Sequence, residues 1–177
     1  MFSYCLPSQV TVAGRTFSIT KATKNDVRPI VELLTDDVLG VGREGWQENA
    51  EAYERAFDLI EASPDNALLT VREARGASSE KPCESEPVPL AGTFQMTFLP
   101  GLSRKGMSRL QVEAVRVADD YQSMGLGSAL MRWAIDCARH SGCGLVQLTT
   151  DKTRADAHRF YDRLGFEATH EGYKIIL

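Results

Sequence analysis

Apolar residues recur along this chain in two rhythms, and the switches between them divide it into elements. Phe17-Ser-Ile-Thr-Lys21 alternates with period two, as a half-buried strand does, and Gln9 to Val12 carries a shorter version of the same signal. From Asn25, a residue suited to capping, Val27, Ile30, Val31, Leu34 and Val38 repeat at helical spacing as far as Gly40. Trp46, Ala50, Tyr53, Phe57 and Ile60 form the stripe of a second helix, which ends before Ser63-Pro64. Strands are predicted over Ala67–Arg72, Leu90–Leu99, Leu110–Val117 and Leu145–Thr150. Two more helices are expected, over Leu126–Arg139 and Ala155–Leu164, the last stopped by Gly165. Phe166–Thr169 and Tyr173–Ile176 read as closing strands joined through Glu171-Gly172. The order β-α-α-β-β-β-α-β-α-β-β predicts an α/β chain, a mixed sheet with helices on both faces.

Composition narrows the classes without changing this picture. The chain has 177 residues, 43% hydrophobic and 25% charged, which fits one ordinary globular domain over 1–177. Residues 1–15 are expected to be an N-terminal extension. Gly76 to Pro87 is polar, holds two prolines and lacks periodicity, so a mobile loop is expected over 76–88. The net charge of −4 argues against binding nucleic acid through a basic surface. It is unevenly spread: residues 1–90 hold 9 basic and 15 acidic side chains, whereas 91–177 hold 11 and 9. The lack of a long apolar run or a basic, then apolar, start leads to the expectation of no membrane span and no secretory signal. Cys5, Cys83, Cys137 and Cys143 lack CxxC spacing, so neither a disulfide framework nor a metal site is expected, and a reducing cytoplasm is the expected compartment.

Chemistry concentrates in Gln122-Ser-Met-Gly-Leu-Gly127, between a predicted strand and a predicted helix. Glycines let the backbone curl so that successive N–H groups point inward, and a helix start adds partial positive charge; such a turn can hold phosphate without a lysine. A P-loop is excluded because GxxxxGK[ST] is missing, and a Rossmann fingerprint because Leu130 stands where a third glycine is needed. Gln122-x-x-Gly125-x-Gly127 resembles the [QR]-x-x-G-x-[GA] coenzyme A motif of the GNAT N-acetyltransferase superfamily. Ala157-His-Arg-Phe-Tyr-Asp-Arg-Leu-Gly-Phe166 resembles that family's second motif, A-x-x-[FL]-Y-x-x-x-G-F, in the expected order and spacing. The resemblance covers Ser108 to Leu177 well.

The resemblance implies a largely antiparallel sheet splayed open at one point, with acetyl-CoA in the cleft as co-substrate and an amine attacking its thioester directly. Gln122, Ser123, Met124, Gly125, Leu126, Gly127 and Ser128 are then expected to hold the pyrophosphate. The main chains of Val115, Arg116 and Val117 are expected to pair with the pantetheine arm as if it were an added strand. Tyr161 matches the motif tyrosine, the acid for the thiolate leaving group. Where the family often has asparagine seven residues before that tyrosine, this chain has Arg154; either Arg154 reaches a coenzyme phosphate or a neighbour such as Asp151 substitutes. Glu113 stands where family members commonly carry a glutamate that deprotonates the amine, often through water. Such a base is wanted because a lysine-like amine has a pKa of about 10.4. Strict alternation puts Glu113 on one face with Val115 and Val117, where burial raises a carboxyl pKa.

Weaker candidates remain. His158 either reaches the acceptor or has an exposed or capping role, and the stretch Pro100 to Gly106, with Arg104, Lys105 and then Arg109, either neutralises an acidic acceptor or a coenzyme phosphate or is a solvated loop. Residues 32–61 hold nine acidic and two basic side chains, which fits either solvated helix faces or a cationic acceptor. Asp151 to Tyr161 also resembles small-molecule acetyltransferases, including those acting on aminoalkylphosphonates. The expected function is transfer of acetyl from acetyl-CoA to a primary amine of a small molecule or peptide. The alternatives are a longer acyl-CoA donor or a non-catalytic acyl-CoA-binding, regulatory module. Family habit implies a homodimer.

Overall fold

The computed structural model describes residues 2, 5–36, 44–74 and 88–177. In chain order these form β1 (Ser8–Val12), β2 (Arg15–Lys21), α1 (Val27–Thr35), α2 (Trp46–Ala62), β3 (Asn66–Glu73) and β4 (Gly92–Leu99). A single turn, α3 (Ser103–Gly106), then precedes β5 (Arg109–Val117), α4 (Leu126–His140), β6 (Leu145–Leu148) and α5 (Ala155–Arg163). The strands make one sheet in sequence order, β1 to β6. The first five strands pair antiparallel, with α1 and α2 lying in the connection from β2 to β3, while α4 carries the chain back across the sheet and makes β6 parallel to β5. The mixed sheet expected from the sequence is therefore present. The loop over 76–88 falls almost wholly outside the described residues, as do Val38, Gly40 and Cys83.

Alternation decides which face each strand gives to each layer. Phe17, Ile19, Leu69, Val71, Phe94, Met96, Leu110 and Val112 point to one face and meet Leu126, Leu130, Met131 and Ala134 of α4 in the main core. These α4 positions repeat every three or four residues, which puts them on one stripe. The opposite face is smaller and more polar, with Ile30 and Leu33 of α1 packing on Leu90 and Leu68.

The α1 entry is fixed by Asp26 rather than by the expected Asn25. Its carboxylate accepts bonds from the Thr23 backbone N–H at 2.7 Å, the Thr23 hydroxyl at 2.8 Å and Arg72 Nη2 at 2.5 Å. Burial raises the Asp26 carboxyl, but these donors outweigh it and hold the group below its ordinary pKa. The helix ends at Thr35, earlier than the expected Gly40.

Two expectations fail. Opposite Phe94 of β4 stand two residues of β5, because the register passes from Gln95↔Glu113 to Thr93↔Arg116. Ala114 takes up this bulge with φ +51. The extra residue reverses the alternation, so Val115 and Val117 join the main core while Glu113 lies on the opposite face and is exposed. Strict alternation put Glu113 beside Val115 and Val117, partly buried; the bulge is the reason it is not. The second failure is the closing pair of strands. Residues 167–177 form no strand and leave Tyr173, Ile175, Ile176 and Leu177 exposed. Alternation makes a segment able to pair, but pairing needs an edge to be reached, and that information is non-local.

Candidate active site

The site grows from the point where β5 and β6 part. They pair only from Arg109↔Leu145 to Val112↔Leu148, and β6 ends there. β5 continues through the bulge to Val117, still paired to β4 on its other side. Along residues 113–117 the edge facing away from β4 therefore has no strand partner among the described residues, which is the splay the resemblance implies. Main-chain groups on such an edge are obligatory hydrogen-bonding groups waiting for an extended ligand.

Directly beyond this edge lies the glycine turn. Gln122 N–H bonds the Asp119 carbonyl at 3.1 Å, and Ala129 N–H bonds the Gly125 carbonyl at 3.1 Å. Between them, the N–H groups of residues 123–128 have no backbone acceptor among the described residues, as the first turn of a helix requires. Ser123 (φ +59) and Gly125 (φ +93) supply the left-handed steps that curl them together. The Gln122 side chain is not free to take a ligand: its amide donates to Asp119 Oδ1 at 2.5 Å and reaches back to the Val117 carbonyl at 3.4 Å. It braces the turn against the strand. Gly127 differs from Gly125. A Cβ there meets Phe160 at 3.5 Å and Val117 at 3.7 Å, ordinary contact distances, so the protein itself has room for a side chain.

That contact also shows how three elements converge: Val117 of β5, Gly127 of α4 and Phe160 of α5. Next to Phe160, Tyr161 is held by aromatic edges, its ring centroid 5.0 Å from Phe160 and 5.8 Å from Phe166. Phe166 is brought round by the α5 terminus, where Gly165 has φ +86 and Phe166 N–H bonds the Tyr161 carbonyl. Burial raises the Tyr161 phenol above its ordinary pKa, with the positive charge of Arg154 pulling the other way. Arg154 thus stands near the phenol, at the α5 entry. His158 Nε2 donates to the Asp151 carbonyl, 3.0 Å away, a bond that ties α5 to its entry loop. Asp151 in turn closes the β6–α5 loop by accepting from Thr153 N–H and Oγ1.

The opposite sheet face carries polar side chains that the sequence did not single out. Asn66 Oδ1 accepts from Thr97 at 2.7 Å, Gln147 donates to Gln111 at 2.6 Å, and Gln95 is paired across from Glu113. Arg116 shares this face and donates to the Asp36 carbonyl at the end of α1, 2.9 Å away. Asp36 lines a cavity of about 280 Å³ with Glu32, Trp46, Glu48 and Arg28. Trp46 stacks on Tyr53, whose hydroxyl donates to Glu44 at 2.6 Å. Nothing in the sequence pairs Arg116 with a carbonyl eighty positions away. Arg104 and Lys105, by contrast, lie just before β5, at the opposite end of that strand from the glycine turn. They are exposed, which favours the solvated loop.

No helix among the described residues is long and apolar enough to cross a membrane, and no group of three or more His, Cys, Asp or Glu there is placed to hold a metal. Residues 43–166 match the acetyltransferase (GNAT) family. A transcriptional regulator from Bacillus halodurans C-125 superposes with a TM-score of 0.78 and is 39% identical, over 91% of this chain and 99% of that one. Streptothricin acetyltransferase of Streptomyces lavendulae is 27% identical over 89% of this chain and 67% of its own length. Aminoalkylphosphonate N-acetyltransferase of Salmonella typhimurium is 37% identical over 34% of this chain; the match spans 39% of the Salmonella protein. With most of its length matched and both motifs set on the splayed sheet, the chain belongs to the GNAT acetyltransferase family.

Proposed function

We propose that this protein transfers the acetyl group of acetyl-CoA to a primary amine. The observation that carries the reading is the bare β5 edge at 113–117 leading into the unpartnered N–H groups of 123–128. An extended amide-bearing arm ending in a pyrophosphate fits that sequence of groups: strand-like pairing with Val115, Arg116 and Val117, then neutral N–H donors from Ser123 to Ser128, with Gln122 bracing the turn. Arg154 adds a positive charge beside Tyr161. The amine nitrogen attacks the thioester carbonyl, the C–S bond breaks, and the leaving thiolate takes the Tyr161 phenolic proton. Burial keeps that phenol protonated at neutral pH, as an acid must be. Glu113, exposed at the mouth of the splay on the face turned toward α1 and α2, takes the amine proton directly or through water. The acceptor approaches from that face, and the acidic groups around Trp46 favour a cationic small molecule or peptide.

A panel of amines (polyamines, amino acids, aminoglycosides, aminophosphonates, peptides) scored by coenzyme A release tests the reading, with longer acyl-CoAs as competing donors. Glu113→Gln is expected to lower kcat/KM about tenfold, most at low pH where more of the amine carries its proton. Wild-type rates in that variant would remove Glu113 from the reaction. A second reading, a non-catalytic acyl-CoA-binding regulatory module, is favoured by the regulator from Bacillus halodurans being so similar. Its signature is tight coenzyme binding with no thiol release for any amine.

A further inference from the structure

Outside the coenzyme cleft, the back of α4 carries a pair of thiols. A cavity of about 340 Å³ between the N-terminal segment and α4 is lined by both Cys5 and Cys137, with Ser8, Trp133 and Asp136. Two anchors hold Cys5 there: Phe2 is buried in the main core and its carbonyl accepts from Cys5 N–H at 3.1 Å, while Ser8 accepts from Trp133 Nε1 at 3.0 Å. Cys137 is buried on α4 and Cys5 is half-buried. Burial pushes the Cys137 thiol up, and a hydrogen bond with the Cys5 sulfur adds to this, as does the Asp136 carboxylate. Cys5 is the more accessible of the two sulfurs and meets an oxidant first, with the Cys137 sulfur beside it.

We propose that Cys5 and Cys137 are an oxidative modification site, closing to an intramolecular disulfide when the protein meets a peroxide. The Cys5 sulfur attacks the peroxide and the O–O bond breaks, giving the sulfenic acid and one water (or alcohol, from an organic peroxide). The Cys137 sulfur then attacks the Cys5 sulfenic sulfur, and the hydroxide that leaves takes the thiol proton as a second water. Two thiols are oxidised and one peroxide is reduced. The bond ties the N-terminal segment covalently to α4, the helix whose other end carries the glycine turn.

The test is to treat the full chain with hydrogen peroxide, block remaining thiols with N-ethylmaleimide, digest without reductant and map the linked peptides by mass spectrometry. The expected result is one Cys5–Cys137 cross-linked pair, a loss of two of the four titratable thiols, and recovery of both with dithiothreitol. Cys143→Ser should keep the cross-link. Cys5→Ser, at the more exposed position, should lose it and leave Cys137 reduced. Linkage to Cys83 or Cys143, a disulfide between two chains, or over-oxidation of Cys5 with Cys137 still free would each overturn the proposal.

Discussion

The two faces of the sheet solve different problems with different materials. On the proposed coenzyme side, β5, the glycine turn, α4 and α5 work mainly through backbone: a strand edge unpaired among the described residues and a run of N–H groups that any sequence could in principle offer, given the right φ angles. On the opposite face the groups are side chains, namely Glu113, the Asn66–Thr97 and Gln111–Gln147 pairs, and the carboxylates near Trp46. Backbone donors hold a ligand common to a whole family, because they depend on fold and on a few glycines. Side chains can be exchanged one at a time, so the acceptor face is where members of a family can diverge. On the proposed function the charge split along the sequence follows the same line: the half that would hold pyrophosphate needs little net positive charge, since its donors are neutral.

The largest expected effect sharpens this contrast at its meeting point. Tyr161→Phe removes one oxygen and leaves the ring packed between Phe160 and Phe166, so the backbone cradle is untouched. On the proposed function, kcat should fall about 100-fold while KM for acetyl-CoA moves less than about twofold. Equal losses in both would make Tyr161 a packing residue. Next in size is Asp26→Asn, which tests whether the α1 layer is held independently of the cradle. The carboxylate anchors Thr23 and Arg72, and its removal should cost about 2 kcal/mol at pH 7. Because the folded Asp26 carboxyl lies below its ordinary value, its contribution is complete above about pH 4 and is lost as pH falls through the folded pKa. Urea unfolding of wild type and variant should therefore converge in acid, with acetyl-CoA affinity unchanged at neutral pH.

How far all this could be read from the sequence depends on the range of the interactions involved. The glycine turn and the second motif were legible because their chemistry is local: φ angles, a helix start and a tyrosine beside its own helix terminus. The bulge was not. Ala114 is an ordinary alanine, and its left-handed conformation follows from β5 pairing with β4 around Phe94. One residue of slip reversed the face assigned to Glu113. The Arg116 bond to the Asp36 carbonyl and the approach of Cys5 to Cys137 are likewise products of folding, joining segments 80 and more positions apart. Tyr173 to Ile176 shows the converse, a strand-like pattern without a strand partner.

A third experiment separates a glycine that the backbone requires from one that it does not. At Gly125, φ +93 penalises any side chain, so Gly125→Ala should destabilise by about 1 kcal/mol whether or not a ligand binds. At Gly127 the nearest atoms, on Phe160 and Val117, leave ordinary van der Waals room, and alanine is the better helix former. Gly127→Ala should leave Tm unchanged or slightly raised. The motif that this turn resembles admits alanine at the position of Gly127, so KM for acetyl-CoA should move less than about twofold there. A tenfold rise would mean that the added methyl meets the coenzyme, and that glycine is required at this position by the ligand.

The smallest effect is expected where side chains alone act. Replacing Glu32 and Glu48 by glutamine removes two charges from the cavity beside Trp46 without altering side-chain length. Glu32 is already paired with Arg28 at 2.8 Å and both carboxylates are largely exposed, so solvent and salt weaken their pull on a ligand. KM for a cationic amine should rise about two- to threefold at low ionic strength, and the difference should shrink as salt is added. KM for acetyl-CoA should stay as it was, since its proposed donors are backbone groups on the other face. An acceptor KM that falls on removing these charges would point to an anionic acceptor, with Arg28 as the attracting group in the same cavity.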